Sequence, residues 1–131
     1  MSHQPRVLIV DDDENIVTAF EDFFRKERCT VVSASNVKDA LSVLSHQIIH
    51  LVITDIRMKW QSGVTLLVEI KQMNPRLPVI VITGYPNMIS EEDIREVGAD
   101  YYFVKPLELD QLRSAVRECL NRPGVANHRN Q

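Results

Sequence analysis

The sequence is short of the features that most simply declare a function. No apolar run approaches the ~18 residues a spanning helix needs, so nothing reads as a membrane segment. There are only two cysteines, Cys29 and Cys119. They lie far apart and match no metal-ligand spacing, and no signal peptide precedes them. They are therefore expected to be buried or half-buried thiols in a reducing, cytoplasmic setting. No basic excess is present: the net charge is −3 and the pI about 5.8. That balance excludes a general affinity for nucleic acid or anionic membrane. There is no internal repeat and no low-complexity segment. Linker-like composition is confined to the polar tail containing Pro123 and Gly124, which divides the chain into a domain over 1–121 and a tail over 122–131. The chain has 131 residues, a length that suits one domain able to bury a core without staples.

What is present is a regular alternation. Val7-Leu8-Ile9-Val10 reads as a first strand ending in Asp11-Asp12-Asp13. Ile16, Phe20, Phe23 and Phe24 recur with helical spacing after it. Asp13 and Glu14 suit that helix's N-terminus, where the dipole favours negative charge. Thr30 to Ala34 is a second strand. Asn36 caps a helix through about Ser45, with Asp39 in a capping-box-like position and Val37, Ala40, Leu41 and Leu44 on its apolar face.

The third strand, Leu51-Val52-Ile53-Thr54, lacks alternation and is read as buried on both faces. It offers Asp55 at its tip. Lys59 to Gly63 is expected to be a loop, followed by a helix from about Val64 to Met73 with Leu66, Leu67, Ile70 and Met73 facing in. Asn74-Pro75 stops it. Val79 to Thr83 is the fourth strand. A short helix capped by Ser90 runs to about Val97 and ends at Gly98. Tyr101 to Val104 is the fifth strand. The last helix spans about Glu108 to Leu120, with Leu109, Leu112, Val116 and Leu120 on one face.

Every strand-to-strand connection is long enough for a crossover helix. The pattern predicts an α/β fold, a parallel sheet covered on both faces. Sites in such sheets form outside the carboxyl ends of the strands. Asp11 and Asp12 come from the first strand, Asp55 from the third, Thr83 from the fourth and Lys105 from the fifth. Like charges ~4 Å apart repel by about 4 kcal/mol at an effective dielectric near 20. Clustered carboxylates therefore call for cations. Lys105 is one, and the oxygen donors suit Mg²⁺, which keeps several waters. A carboxylate nucleophile such as Asp55 can form an aspartyl phosphate, with metal, lysine and the Thr83 hydroxyl stabilising the phosphoryl group.

The residues quoted resemble the receiver domain of two-component response regulators, of the chemotaxis-regulator-like superfamily. The resemblance covers about residues 5–121. It rests on Val10-Asp11-Asp12, Asp55 within Ile53 to Met58, Gly63, Val81-Ile82-Thr83-Gly84, Gly98-Ala99-Asp100 and Val104-Lys105-Pro106. It implies a doubly wound (βα)5, flavodoxin-like fold with a five-stranded sheet of order 2-1-3-4-5. It implies Asp55 as phosphoacceptor and Thr83 and Lys105 as phosphate-contacting residues. Mg²⁺ would be held by Asp11, Asp12, Asp55 and the backbone carbonyl of Arg57. Thr83 and Tyr102 would form the switch, and the Lys105-Pro106 peptide would be cis.

The implied function is a phosphorylation-controlled switch, catalysing only its own phosphorylation and dephosphorylation. A sensor histidine kinase or phosphotransfer protein would supply the phosphoryl group. The face made by helix four, strand five and helix five would act on a partner, an attached output domain or a second copy. Glu91, Glu92, Asp93, Arg95, Arg113 and Arg117 would lend charges to such a homodimer. Arg57 and Tyr85, each two residues beyond a site residue, would tune the phosphoryl lifetime. They are large and neither readily orients a water, so slow self-dephosphorylation is expected.

One departure stands out. Lys59 and Trp60 occupy positions where the family commonly has Pro-Gly. They support the alternative, a degenerate receiver that binds partners without phosphorylation. A phosphatase would want a second carboxylate at position 57, where Arg57 stands. A nucleotide or flavin site would want a glycine-rich first turn, where Asp11 to Glu14 stand.

Overall fold

Alternate residues of the apolar runs are dealt to opposite sides of one sheet, and both sides are covered. In the computed structural model, which describes residues 4–58 and 61–122, five strands form that sheet: β1 (Arg6–Val10), β2 (Thr30–Ala34), β3 (Leu51–Asp55), β4 (Val79–Thr83) and β5 (Tyr101–Val104). All pairings are parallel, in the order β2-β1-β3-β4-β5. Five helices connect and follow them: α1 (Glu14–Lys26), α2 (Val37–His46), α3 (Gly63–Met73), α4 (Glu91–Val97) and α5 (Leu109–Leu120).

Period-two geometry explains the two cores. Leu8, Val10, Val52, Val79 and Val81 pack with Ala40 of α2, Leu66, Leu67 and Ile70 of α3, and Ile94 of α4. Val7, Ile9, Leu51, Ile53, Ile80 and Ile82 pack with Phe20, Phe23 and Phe24 of α1 and Leu112, Ala115, Val116 and Cys119 of α5. Strands β3 and β4 are buried along their whole length, whereas the edge strands β2 and β5 are partly exposed. Both cysteines are free and buried, within the α1–α5 core.

The helix starts follow the expected chemistry. Asp13, Asn36, Ser62 and Ser90 each accept a backbone N–H from the helix that they cap. Gly98 ends α4 at φ 130°, a conformation open to glycine, where a Cβ would stand 2.8 Å from Lys71.

Three local expectations are corrected. Met73 and Leu109 are more than half exposed. Each sits at a helix end, beyond the part of the helix that lies on the sheet. Small residues take their share of the α5 contact instead: Ala115 and Cys119 are buried with Leu112 and Val116. Gln61–Ser62 is not plain loop, since it pairs antiparallel with Arg57–Met58 in a two-residue ribbon before α3. Lys59 and Trp60 lie outside the described residues. Arg113 and Arg117 turn towards α1, where both bond Glu27 at 3.0 and 3.2 Å. Arg95 pairs with Glu91 inside α4.

Candidate functional site

Four strand ends meet at the carboxyl edge. Asp11 and Asp55 are buried there, one from the end of β1 and one from the tip of β3. Lys105 follows β5 and reaches across the edge. Its Nζ lies 2.9 Å from Asp55 Oδ2 and 3.4 Å from Asp11 Oδ2. The remaining oxygens are held by local backbone: Asp13 N–H donates to Asp11 Oδ1 at 2.9 Å, and Arg57 N–H donates to Asp55 Oδ1 at 3.1 Å. Each carboxylate is thus fixed from two sides, by the lysine and by a turn immediately after its strand.

The electrostatics follow from this packing. Burial pushes the Asp11 carboxyl above the usual aspartate range, against the Asp13 N–H and the Lys105 charge, which lower it; the neighbouring Asp55 charge adds to the rise. Burial pulls the Lys105 ammonium down, but the Asp55 hydrogen bond and the charges of Asp11 and Asp55 together outweigh it, and the group ends above the ordinary lysine value. The ammonium is therefore kept charged at neutral pH, between two acids that need it.

Thr83, at the end of β4, is fully buried, and its Oγ1 accepts the Tyr85 N–H at 2.8 Å. Its carbonyl accepts the Lys105 N–H at 2.8 Å, which pins the start of the β5–α5 connection to β4. The Lys105-Pro106 peptide is cis. Tyr102 is half-buried and packs against the core on the α2–α4 side. Asp12, two residues beyond β1, is exposed where Asp11 is buried, and both line one cleft beside the start of α1. Among the described residues, no three His, Cys, Asp or Glu side chains are grouped so as to hold a metal ion.

Two contacts are absent from any sequence pattern. Gly63 N–H donates to Ile56 O at 2.7 Å, and a Cβ on Gly63 would stand 2.0 Å from the Asp55 carbonyl oxygen. The start of α3 is thus in backbone contact with the end of β3, an approach open only to glycine. The Arg57 guanidinium carbon lies 4.5 Å from the centre of the Tyr85 ring. The spacing singles out both residues, but not their contact.

Residues 7–117 match the family model described as "Response regulator receiver domain". The chain belongs to that family. Receiver domains of two-component response regulators are the phosphorylation-controlled switches of their pathways, so the resemblance read from the motifs is upheld. Among curated relatives, the transcriptional regulatory protein ZraR of Escherichia coli (strain K12) is 32% identical over 114 residues, covering 87% of this chain and 26% of ZraR. The chain therefore spans about a quarter of that relative's length. Sporulation initiation phosphotransferase F of Bacillus subtilis (strain 168) is 30% identical over 115 residues, covering 88% of this chain and 93% of the relative. Among solved structures, response regulator protein TrrA from Thermotoga maritima, in complex with Mg(2+)-BeF, superposes with a TM-score of 0.81 at 30% identity, covering 89% of this chain and all of that one. No helix among the described residues is long and apolar enough to cross a membrane.

Proposed function

We propose that Asp55 is the phosphoacceptor of this receiver and that residues 1–121 form the switching unit, with 122–131 as tail. An Asp55 carboxylate oxygen forms the new O–P bond while the P–N bond of a phosphohistidine donor breaks. The imidazole nitrogen keeps the electron pair and takes a proton from solvent. The donor is a sensor histidine kinase or a phosphotransfer protein. The observation that carries this reading is the Lys105 ammonium, 2.9 Å from Asp55 and 3.4 Å from Asp11. It holds the nucleophile in place and is positioned to neutralise an arriving phosphoryl group.

The donor set fits a hard divalent cation. Asp11, Asp12, Asp55 and the Arg57 carbonyl are all oxygen donors, and Mg²⁺ binds through one or two carboxylates while keeping waters. Those residues would hold it, and its charge would help to neutralise the phosphoryl oxygens. The Thr83 O–H donates a hydrogen bond to a phosphoryl oxygen, and Tyr102 relays the change to the face of α4, β5 and α5. That face acts on an output domain, a partner or a second copy. Arg57 and Tyr85 keep water from the acyl phosphate and make its hydrolysis slow.

The alternative, a module that acts without phosphorylation, draws on Lys59 and Trp60 alone, whereas Asp55, Thr83 and Lys105 favour the switch. Mass spectrometry of the full chain after treatment with acetyl phosphate and Mg²⁺ tests it. One added phosphoryl group is expected, absent in Asp55→Asn and lost faster when Ala replaces Arg57 or Tyr85. An unmodified wild-type chain would leave the phosphorylation-independent module as the better account.

A further inference from the structure

Arg57 and Tyr85 meet in the structure, and each is also fastened to the site by its own backbone. Arg57 N–H is on Asp55 Oδ1 at 3.1 Å, and Tyr85 N–H is on Thr83 Oγ1 at 2.8 Å. The guanidinium, 4.5 Å from the ring centre, therefore bridges the segments that follow β3 and β4. Asp55 is buried, while Arg57 and Tyr85 are exposed, Tyr85 by about half its surface. The bridge thus links two exposed side chains whose backbones touch the site residues Asp55 and Thr83.

We propose that Arg57 is a latch with two alternative partners: the Tyr85 ring while Asp55 is unmodified, and the phosphoryl oxygens once Asp55 is phosphorylated. The inference rests on the reading of Asp55 as the phosphoacceptor. A comparison of strengths sets its direction. A cation over an exposed ring favours that contact by about two- to fivefold. A guanidinium donating to phosphoryl oxygens makes charge-assisted and often bidentate bonds, worth more than about tenfold. The arginine side chain springs from a residue whose amide already touches the Asp55 carboxylate, so the new partner forms within its reach. Lys105 Nζ holds Asp55 Oδ2, while the Arg57 backbone N–H holds Oδ1.

Opening the latch removes the Arg57 contact from the Tyr85 ring and leaves its backbone bonds in place. Its carbonyl accepts the Met88 N–H at 3.2 Å, and Ser90 then caps α4. The freed ring thus sits at the head of a short turn leading directly into α4. Arg57 acts here as a positioning residue, coupling the state of Asp55 to the approach of that helix.

NMR of the full chain with ¹³C-labelled tyrosine rings tests the latch, with the Tyr85 signal assigned by Tyr85→Phe and mass spectra taken in parallel. In unmodified Arg57→Ala the Tyr85 ring signal moves towards that of free tyrosine, and its amide exchanges about two- to fivefold faster. Acetyl phosphate with Mg²⁺ moves the wild-type ring signal in the same direction, and leaves it unmoved in Asp55→Asn. Complete phosphorylation with an unshifted Tyr85 ring overturns the latch and leaves the phosphoacceptor reading intact. A shift in Asp55→Asn also overturns it, since the trigger would then not be the acyl phosphate. Absence of any phosphorylated species overturns the phosphoacceptor reading and the latch with it.

Discussion

Gly63 shows how strictly a single residue can be fixed. Its amide bonds Ile56 and its Cα faces the Asp55 carbonyl, with no room for a methyl group. The obstructing atoms are backbone, at 2.0 and 2.9 Å, and cannot swing aside as a side chain would. Gly63→Ala is expected to cost about 3 kcal/mol or more, the upper range for overpacking, seen as a lower urea midpoint. Phosphoryl uptake should fall with it, because the displaced backbone is that of Asp55. The same residue marks a limit of sequence reading. The family motif places a glycine here, but the reason for it is a contact between two backbone segments seven residues apart. Asp11 and Asp55 differ: their strand-end positions were legible from apolar runs that stop at a carboxylate. Their shared lysine was expected by charge balance, and the bonds at 2.9 and 3.4 Å bear that out.

At the scale of elements, local chemistry determined most boundaries. Asn36 illustrates this: its Oδ1 accepts the Asp39 N–H at 2.8 Å, and its Nδ2 donates to Asp39 Oδ2 at 2.9 Å. Replacing it by alanine removes both. Asn36→Ala should destabilise the domain by about 1 kcal/mol, measured as a drop in thermal midpoint with the fold otherwise unchanged. Helix α5 shows where periodicity falls short. The large apolar residues point to a stripe of Leu109, Leu112, Val116 and Leu120; Leu112 and Val116 are buried and Leu120 packs against the core, but Leu109 is exposed and Ala115 and Cys119 join the buried contact. Hydrophobicity ranks Leu109 above Ala115, but a helix lying close on a sheet needs small residues at the contact and leaves its first turn overhanging. The ribbon of Arg57–Met58 with Gln61–Ser62 was likewise hidden, since two-residue strands carry no period.

For the whole molecule, the sheet divides the apolar residues into two layers, and the cysteines belong to the α1–α5 layer. Burial pushes the Cys29 thiol up to about 11 and the Cys119 thiol up to about 12. The native state thus favours the protonated thiols. Their contribution to stability is complete below the unfolded value of 9.0 and is lost as pH rises through about 11 and 12. Iodoacetamide at pH 8 should modify Cys29 in the native chain at least about a hundredfold more slowly than in urea, from the thiolate fraction alone. Equal rates would mean that this layer opens readily. The sequence by itself determined the alternation of strands and helices, the helix caps and the roster of polar residues at strand ends, because periodicity, capping and strand termini are local properties. Only the tertiary structure decided which of those residues meet. It joined Asp11 to Asp55 through Lys105, left Asp12 exposed, set Gly63 against Asp55 and laid Arg57 on Tyr85. Those contacts depend on strand order and on the angles at which loops leave the sheet. Both are set by the packing of residues distant in sequence.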